Sequence, residues 1–559
     1  MAQADAEVTK TSVNIGKVSD EEAVIQESPA QLDIAQGTVA ETTNGDAGFS
    51  RSLKRRQIMM MAFGAGIGTG LWVGTGSALA KAGPGGIAIS YTIMAYVVYV
   101  MYMAIGELTA YKPIHGGFIR QSQEYIDPAM GFAIGINFWF NWVMIIPAEV
   151  TAAISVLQFW PETNRVPIAG WITILLVVMV AINLFEVKWY GEWEFWLSLL
   201  KCIAIVAMIF FEIVMTSGGI PATNGPIEFK FWKNPGAFNN GIKGIAAAFV
   251  QAGFSFGGGE HIAVMAGEAA DPRETVRKTV YPLFWRMASF FVVNIWLVGM
   301  CVPYTDPRLI NESGTLASPF VIAIENAGLM PLAHVLNAFI FITVLSCGVT
   351  SVYIASRSLT NLCDLNLIPP WFNQKDSKGR PWSAMIISVA LGGGLCYLNC
   401  NSTAEKVYSW FSSLVGISGF IQWGVILYSD VCFRAGLKAQ KIDYRTLPFI
   451  DPWSPWDQWI GIAIVIFVLG LEFYLAVSPF DAEPSAANFF STYIAAPLFV
   501  VDFYAYKWWY GTKFVKPEEM DFSAAKYWDE LDVRLREEKE KEPVRKRSLW
   551  QKGVAAVVG

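Results

Sequence analysis

The chain has 559 residues, of which 54% are hydrophobic and only 16% are charged, with a formal net charge of −6. So little charge excludes a soluble globular protein of this length, whereas the small net charge says little about partners. Crossing a bilayer takes roughly 20 apolar residues, and hydropathy predicts about a dozen such spans. They are residues 57–80, 86–110, 130–159, 167–186, 192–216, 242–266, 283–303, 330–357, 383–399, 405–432, 459–478 and 487–510. The predicted fold class is an all-α polytopic membrane protein.

The first span has the sequence GAGIGTG in its middle, with four glycines at alternating positions. Glycine destabilises a helix by about 1 kcal/mol relative to alanine, so this pattern indicates a place where the helix unwinds. Unwound backbone is tolerated in mid-membrane only where it faces protein or a water-filled cavity, and its free N–H groups suit an anion. The alternative is a continuous helix whose small residues allow close packing, as in GxxxG pairs.

Two ionisable residues lie deep within other spans. Glu149 in the third span costs several kcal/mol in the bilayer unless it is neutral or paired, so it is either functional or locked in a polar network. Lys201 in the fifth span lies 9 residues past the start of that span. It either snorkels to the interface or has a function at this depth.

The sixth span is interrupted by three consecutive glycines, Gly257 to Gly259, which are followed by Glu260 and His261. Two glycine-interrupted spans in corresponding positions are typical of an inverted-repeat transporter. We therefore predict repeats formed by spans one to five and six to ten, with broken helices one and six and two extra helices. Glu260 is either functional or a buried acid that caps broken backbone. His261 is interpreted as a packed or interfacial histidine.

Residues 1–50 are polar, lack the apolar stretch of a signal peptide and are predicted to form a disordered tail. Residues 51–510 form the predicted transmembrane domain, and residues 511–559 form a second tail. Lysine and arginine are enriched in the loops on one side of the spans, which the positive-inside rule assigns to the cytosol. Both tails are therefore predicted to be cytosolic.

Several familiar catalytic patterns are missing from the sequence. It has no Walker motif, no Ser-His-Asp pattern and no cluster of metal ligands, and its seven cysteines contain no CxxC pair. We therefore expect neither an enzyme nor an ATP-driven pump. We also expect no cofactor, no metal and no nucleic-acid partner.

A series of motifs runs in order along nearly the whole predicted membrane domain. They are GAGIGTGL (64–71), DPAMGFAIG (127–135), GEWEFWLSLLK (191–201), FSFGGGE (254–260) and AGEAADPR (266–273). With them the chain resembles the fungal, yeast-type amino-acid permeases of the amino acid–polyamine–organocation superfamily. The resemblance implies a twelve-helix fold with two inverted five-helix repeats. It also implies uptake of amino acids together with protons across the plasma membrane.

The resemblance further implies which groups bind the substrate. The carboxylate would be held by first-span backbone and the α-ammonium group by sixth-span carbonyl groups. The residues concerned are Gly66, Gly68, Thr69 and Gly70 for the carboxylate, and Phe254, Ser255 and Phe256 for the ammonium group.

The candidates for proton coupling are Lys201, Glu149 and Glu260. Lys201 matches a lysine that takes the place of a coupling cation in some bacterial relatives, and the two glutamates match acidic positions that recur in the fungal branch. A lysine is suited to this role because burial in a dry helix bundle makes its charged form costly.

The sequence departs from the family at three positions in regions expected to line the pocket, Asn141, Val349 and Val415. The amino acids that are carried are therefore not predicted. Two alternatives remain open, an amino-acid sensor of the same fold without net transport and a transporter of polyamines or other organic cations. The expected partners are an amino acid, protons and the lipid bilayer, and the cytosolic tails are candidate sites for trafficking or ubiquitination machinery.

Overall fold

The computed structural model describes residues 60, 64, 66–114, 116–185, 187–265, 272–309, 317–376, 379–480 and 483–541. All of them belong to one compact unit, residues 42–559. Within the described residues the regular structure is helical, and the β contacts amount to one isolated bridge between Lys375 and Pro381. The α-helices of eight residues or more are α1 (Thr75–Tyr111), α2 (Gly117–Tyr125), α3 (Pro128–Leu157), α4 (Ile168–Asn183), α5 (Val187–Thr216), α6 (Gly241–Phe256), α7 (Pro272–Cys301), α8 (Pro319–Asn326), α9 (Met330–Asp364), α10 (Trp382–Cys396), α11 (Ala404–Ala439), α12 (Trp456–Val477), α13 (Ala486–Tyr493), α14 (Ala495–Tyr510) and α15 (Ala524–Lys541).

Most of these helices are long and apolar enough to cross a bilayer. In the described part of the chain, eight helical stretches pass this test, and α13 with α14, bent by 70° at their junction, make a ninth if they count as one crossing. Helices α4 and α6 are also apolar but have only 16 residues each, fewer than the roughly 20 that span 30 Å of hydrocarbon. The chain is an all-α, multi-pass membrane protein, and the predicted fold class is confirmed.

The first two predicted spans follow one another without a loop. A π-helical turn, Gly70–Gly74, runs into α1, which is regular except at Gly83. Gly83 has φ +74°, in the left-handed region that glycine adopts readily. A Cβ at this position would lie 2.8 Å from the carbonyl oxygen of Ala237. The chain between the two spans is therefore a break at one glycine, packed tightly against the loop before α6.

Both predicted interruptions are present. In the first span, Ile67 and Gly68 are bends with helical residues on either side. In the sixth, α6 ends at Phe256, Gly257 is extended, and Gly258 has φ +98° before a short 3-10 turn begins. Broken helices one and six are thus confirmed, whereas the inverted-repeat relation between the two halves stays a prediction.

Helix α3 is a central element of the bundle. It contacts α9, α10, α11 and α14, and most of its side chains are buried. The carboxylate of Asp127 caps its N-terminus by accepting a hydrogen bond from the Ala129 N–H at 2.9 Å, a typical N-cap interaction. Residues four apart share a helix face, so Asn141, Ile145 and Glu149 follow one another along one side of α3.

At the far end of α1, the fully buried Glu107 is paired with a cation. Arg434 of α11 donates hydrogen bonds to both carboxylate oxygens, through Nε to Oε1 and through Nη2 to Oε2 at 2.6 Å. The N–H of Asp451 adds a third bond at 2.9 Å. A buried carboxylate is tolerated when it is paired and hydrogen-bonded in this way.

We expect Arg434→Leu to destabilise the protein strongly, because it leaves the Glu107 carboxylate buried without its cation. Removing one partner of a buried ion pair costs about 3–5 kcal/mol. The expected result is a lower unfolding temperature in detergent and less protein at the cell surface. The double variant Glu107→Gln/Arg434→Leu should recover much of this loss. Arg445→Leu, at an exposed position, is the control, and an equal loss in this variant would contradict the explanation.

The second tail packs against the same end of the bundle. Arg273, at the start of α7, donates hydrogen bonds to the Tyr111 carbonyl oxygen at 2.9 Å and to Asp529 Oδ1 of α15 at 2.6 Å. Met520 and Phe522 are buried in a small apolar cluster that includes Tyr111. Arg273, the arginine of the AGEAADPR motif, therefore joins α1, α7 and the tail.

Candidate functional site

A cavity lies where the two broken helices meet α3, α9 and α11. It encloses about 550 Å³ of space free of protein atoms, including space that is open to the solvent. Its wall is formed by Gly66, Gly68, Thr69, Gly70, Asn141, Trp142, Ile145, Glu149, Gly253, Phe254, Gly257, Gly258, Glu260, Cys347, Thr350, Val415 and Gly419.

One side of the cavity is the broken first span, which contributes all four of its predicted substrate residues. A new helical turn begins after the bends at Ile67 and Gly68, and the first N–H groups of a helix have no partner within it. These N–H groups and the partial positive charge of a helix start suit an anion. Gly70 also has a packing role, because a Cβ there would lie only 2.7 Å from the Cα of Ser255.

The opposite side is the end of α6, where Phe254 lines the cavity. The Gly258 N–H donates to both carboxylate oxygens of Glu260, each at 3.1 Å. The last carbonyl groups of a helix have no partner within it, so this end presents hydrogen-bond acceptors. Such acceptors suit an ammonium group.

Two of the predicted substrate residues on α6 do not form part of the cavity wall. The Ser255 hydroxyl forms a hydrogen bond with the Tyr91 hydroxyl at 2.8 Å. The ring of Phe256 packs against Phe291, with ring centroids 4.9 Å apart. Their side chains therefore hold α6 against α1 and α7.

Two buried carboxylates face the cavity, although they are 111 positions apart in the chain. Glu149 accepts a hydrogen bond from the Thr69 hydroxyl of the broken first span. Glu260 accepts from the Gly258 N–H and from Trp423 Nε1 at 3.5 Å. No lysine or arginine is among the residues of the described cavity wall. The cavity thus combines the two helix breaks with a concentration of acidic groups.

Lys201 lies behind the cavity, not in its wall. It is 1% exposed, and its Nζ donates to the Gly64 carbonyl oxygen at 3.0 Å and to Ser346 Oγ at 3.3 Å. It also forms an ion pair with Glu194, at 3.6 Å from Oε1. A lysine that is buried and held by these groups does not reach the interface, so the snorkelling alternative is wrong.

Glu194 is the residue that the sequence interpretation missed. It lies seven positions before Lys201, within the same GEWEFWLSLLK motif. Seven residues are close to two helical turns, so the two side chains share a face, and this spacing was a usable signal. Trp142, Cys347 and Thr350 of the cavity wall were also missed, and they carry no comparable signal in the sequence.

The three departures from the family pattern do not all lie at the cavity. Asn141 and Val415 line it. Val349 belongs to the part of α9 that contributes Cys347 and Thr350 to the wall, but it is not itself among the wall residues. Val349 faces a separate apolar groove between α4, α5 and α9, because successive residues of a helix point about 100° apart.

Residues 57–518 match the family model described as "Amino acid permease". The chain is 39% identical to a general amino-acid permease of Candida albicans, over 82% of this chain and 78% of the relative. It is 36% identical to a cationic amino acid transporter of Schizosaccharomyces pombe, over 90% and 86% of the two chains. It is 35% identical to an S-adenosylmethionine permease of Candida albicans, over 90% and 83%.

Proposed function

This chain belongs to the amino acid permease family, and we propose that it is a symporter that carries amino acids into the cell together with protons. The observation that carries the proposal is the cavity between the two broken helices. There the residues at the start of one helix and at the end of another line the same space, and helix starts carry free N–H groups whereas helix ends carry free carbonyl groups. The α-carboxylate and α-ammonium groups, which every amino acid has, need these two kinds of partner.

In this proposal the substrate carboxylate binds the backbone of the broken first span. The residues are Gly66, Gly68, Thr69 and Gly70. The ammonium group binds carbonyl groups at the end of α6, with Phe254 in the cavity wall and Ser255 and Phe256 next to it. The side chain of the substrate then points towards α3 and α11, where Asn141, Ile145, Val415 and Gly419 lie.

The proton is assigned to the buried ionisable groups around the first span. Lys201 is the first candidate, because it donates to the Gly64 carbonyl oxygen just before the helix break. Glu149 is the second, because it accepts from Thr69 on the cavity side of the same break. Glu260 is the third, through its bonds to the backbone of the other break. Changing the charge of any of them alters a contact that holds a broken helix.

A specific observation favours a second candidate function, transport of a polyamine or another organic cation. The sequence shows no acidic cluster, yet the fold places Glu149 and Glu260 in one cavity wall without a lysine or arginine among its described residues. Both carboxylates already accept hydrogen bonds from the protein, which supports the amino-acid proposal over this one.

Uptake by cells that lack their own permeases tests the proposed function. We expect concentrative uptake of at least one labelled amino acid at acidic external pH, and its loss when a protonophore removes the gradient. Accumulation of putrescine or spermidine without amino-acid uptake would instead favour the organic-cation function. Binding of an amino acid with no uptake under any gradient would indicate a sensor.

The proposal also includes a location in the plasma membrane with both tails in the cytosol. We expect cysteine reporters in the loop at 218–240 to react with an impermeant reagent on intact cells. Reporters at residues 1–50 and 364–380 should react only after permeabilisation. Reaction of the N-terminal reporter on intact cells would contradict the orientation, since the positive-inside rule on which it depends would then fail.

A further inference from the structure

We propose that Glu194 is the group that exchanges the transported proton with Lys201, so that coupling depends on an ion pair and not on the lysine alone. We call these two residues the coupling pair. The inference rests on the proposed proton symport and adds a residue to it. Glu194 belongs neither to the cavity wall nor to the substrate-binding backbone.

The two members of the coupling pair are joined by an ion pair and by a bridging hydroxyl group. The side chains of Glu194 and Lys201 are 3% and 1% exposed, and the lysine Nζ lies 3.6 Å from the glutamate Oε1. The Ser346 hydroxyl of α9 bridges them, because it accepts from Lys201 Nζ at 3.3 Å and donates to Glu194 Oε2 at 2.9 Å. Ser198, one turn along α5, donates to Glu194 Oε1 at 3.5 Å. Both charges are thus buried, paired and joined by one hydroxyl.

The broken first span touches both members of the pair. Lys201 donates to the Gly64 carbonyl oxygen, and a Cβ at Gly64 would lie 3.0 Å from Glu194 Oε1 and 1.8 Å from Ser198 Oγ. There is therefore no room for a methyl group between this backbone and the pair. A movement of the broken span during transport changes the surroundings of the lysine and the glutamate together.

Among the described residues, few other charged groups approach the coupling pair. On α9, Cys347 Sγ lies 3.6 Å from the lysine Nζ. On α3, Glu149 interacts with the lysine from the cavity side, and on α7, Arg286 interacts with the neighbouring Cys202. On the side away from the cavity the pair borders the groove between α4, α5 and α9. That groove is apolar apart from Glu194 and Ser346, so charge pairing inside the bundle is the main electrostatic interaction.

The proton passes from Lys201 to Glu194 through the Ser346 hydroxyl. An N–H bond of the Lys201 ammonium breaks, its proton goes to the Ser346 oxygen, and the original hydroxyl proton goes to the Glu194 carboxylate. The products are a neutral amine and a neutral carboxylic acid, so atoms and charge balance. Glu194 lies about 10 Å nearer the predicted cytosolic end of α5 by the helical rise. It then releases the proton to that side, and Lys201 takes up another from the outer side.

The test uses purified protein in vesicles with an imposed pH gradient and membrane potential. Glu194→Gln should exchange internal for external labelled amino acid at close to the parental rate. It should lose the proton-driven accumulation of substrate. The accumulation ratio should fall by about 50-fold for each 100 mV of potential, because one charge moved across 100 mV is worth ~2.3 kcal/mol. The control is Glu212→Gln, a second fully buried glutamate on the same face of α5 with no hydrogen-bond partner for its carboxylate among the described residues. It should keep both activities.

Three results would overturn the inference. The first is accumulation by Glu194→Gln with the parental pH dependence. The second is loss of exchange together with accumulation in folded protein, which indicates a structural role. The third concerns Glu194→Asp, which keeps the charge but shortens the side chain and is measured if Glu194→Gln does not fold. An unchanged pH profile of uptake in Glu194→Asp would then overturn the inference. A shifted pH profile in Glu194→Asp supports the inference. If the parental protein itself shows no gradient-driven accumulation, the proposed function fails, not this step alone.

Discussion

Lys201→Met is expected to abolish gradient-driven accumulation of the substrate and to leave exchange across the membrane in place. Methionine is flexible and of similar length, so it fills the space of the lysine without a polar group. The variant removes the hydrogen bond to the Gly64 carbonyl oxygen and the charge that faces Glu194. The accumulation ratio should fall by about 50-fold for each 100 mV of potential, because one charge moved is worth ~2.3 kcal/mol.

Uptake of labelled substrate into vesicles is measured with and without a pH gradient. Exchange of labelled for unlabelled substrate is measured in parallel, with equal substrate concentrations inside and outside. Since the single variant leaves a buried glutamate without its cation, the double variant Lys201→Met/Glu194→Gln provides a form with no unpaired charge. Lys406→Met changes an exposed lysine and should behave like the parent. Concentrative uptake by Lys201→Met with the parental pH dependence would remove the lysine from the mechanism, and Glu149→Gln would be the next variant to measure.

Gly419→Val is expected to weaken substrate binding with little effect on folding. Gly419 of α11 lines the cavity, and a Cβ at this position would have no heavy atom within 4 Å. A valine therefore occupies space that belongs to the substrate. Forcing extra methyl groups into a filled site costs about 1–3 kcal/mol, so the apparent affinity should fall by roughly 5- to 150-fold. Gly419→Ala should reduce the apparent affinity less than Gly419→Val does. Its effect should grow with the size of the amino-acid side chain.

A matched control is available on α10. A Cβ at Gly394 would also have no heavy atom within 4 Å, but this glycine is exposed and lies outside the cavity wall. Gly394→Val should retain the parental affinity. Unchanged affinity in Gly419→Val at normal surface levels, or an equal loss in both variants, would contradict the location of the site.

The glycines of the first span are less suitable for this test. A side chain at Gly70 would meet the backbone of Ser255 at 2.7 Å, and one at Gly68 would meet Cys347 Sγ at 2.8 Å. We therefore expect Gly70→Val to reduce the amount of folded protein, because backbone cannot move aside as a flexible side chain does. Loss of transport in that variant would not distinguish binding from packing.

Composition and local pattern alone determined the class of the protein and the position of its two helix breaks. An apolar stretch of about 20 residues has one stable form in a bilayer, the helix. Consecutive or alternating glycines weaken that helix wherever it packs. The breaks at Ile67–Gly68 and at Gly257–Gly258 were therefore predictable from short windows of sequence, without any long-range contact.

The tertiary structure decided which side chains meet at the breaks. Thr69 reaches Glu149, and Lys201 reaches Ser346, across 80 and 145 positions of the chain. Such pairs depend on how each helix is rotated about its axis. In a soluble helix the contrast between apolar and polar faces reveals this rotation. In a membrane bundle the lipid-facing and the protein-facing sides are both apolar, so only the packing of α3, α5 and α9 placed the lysine behind the cavity and the glutamate in its wall.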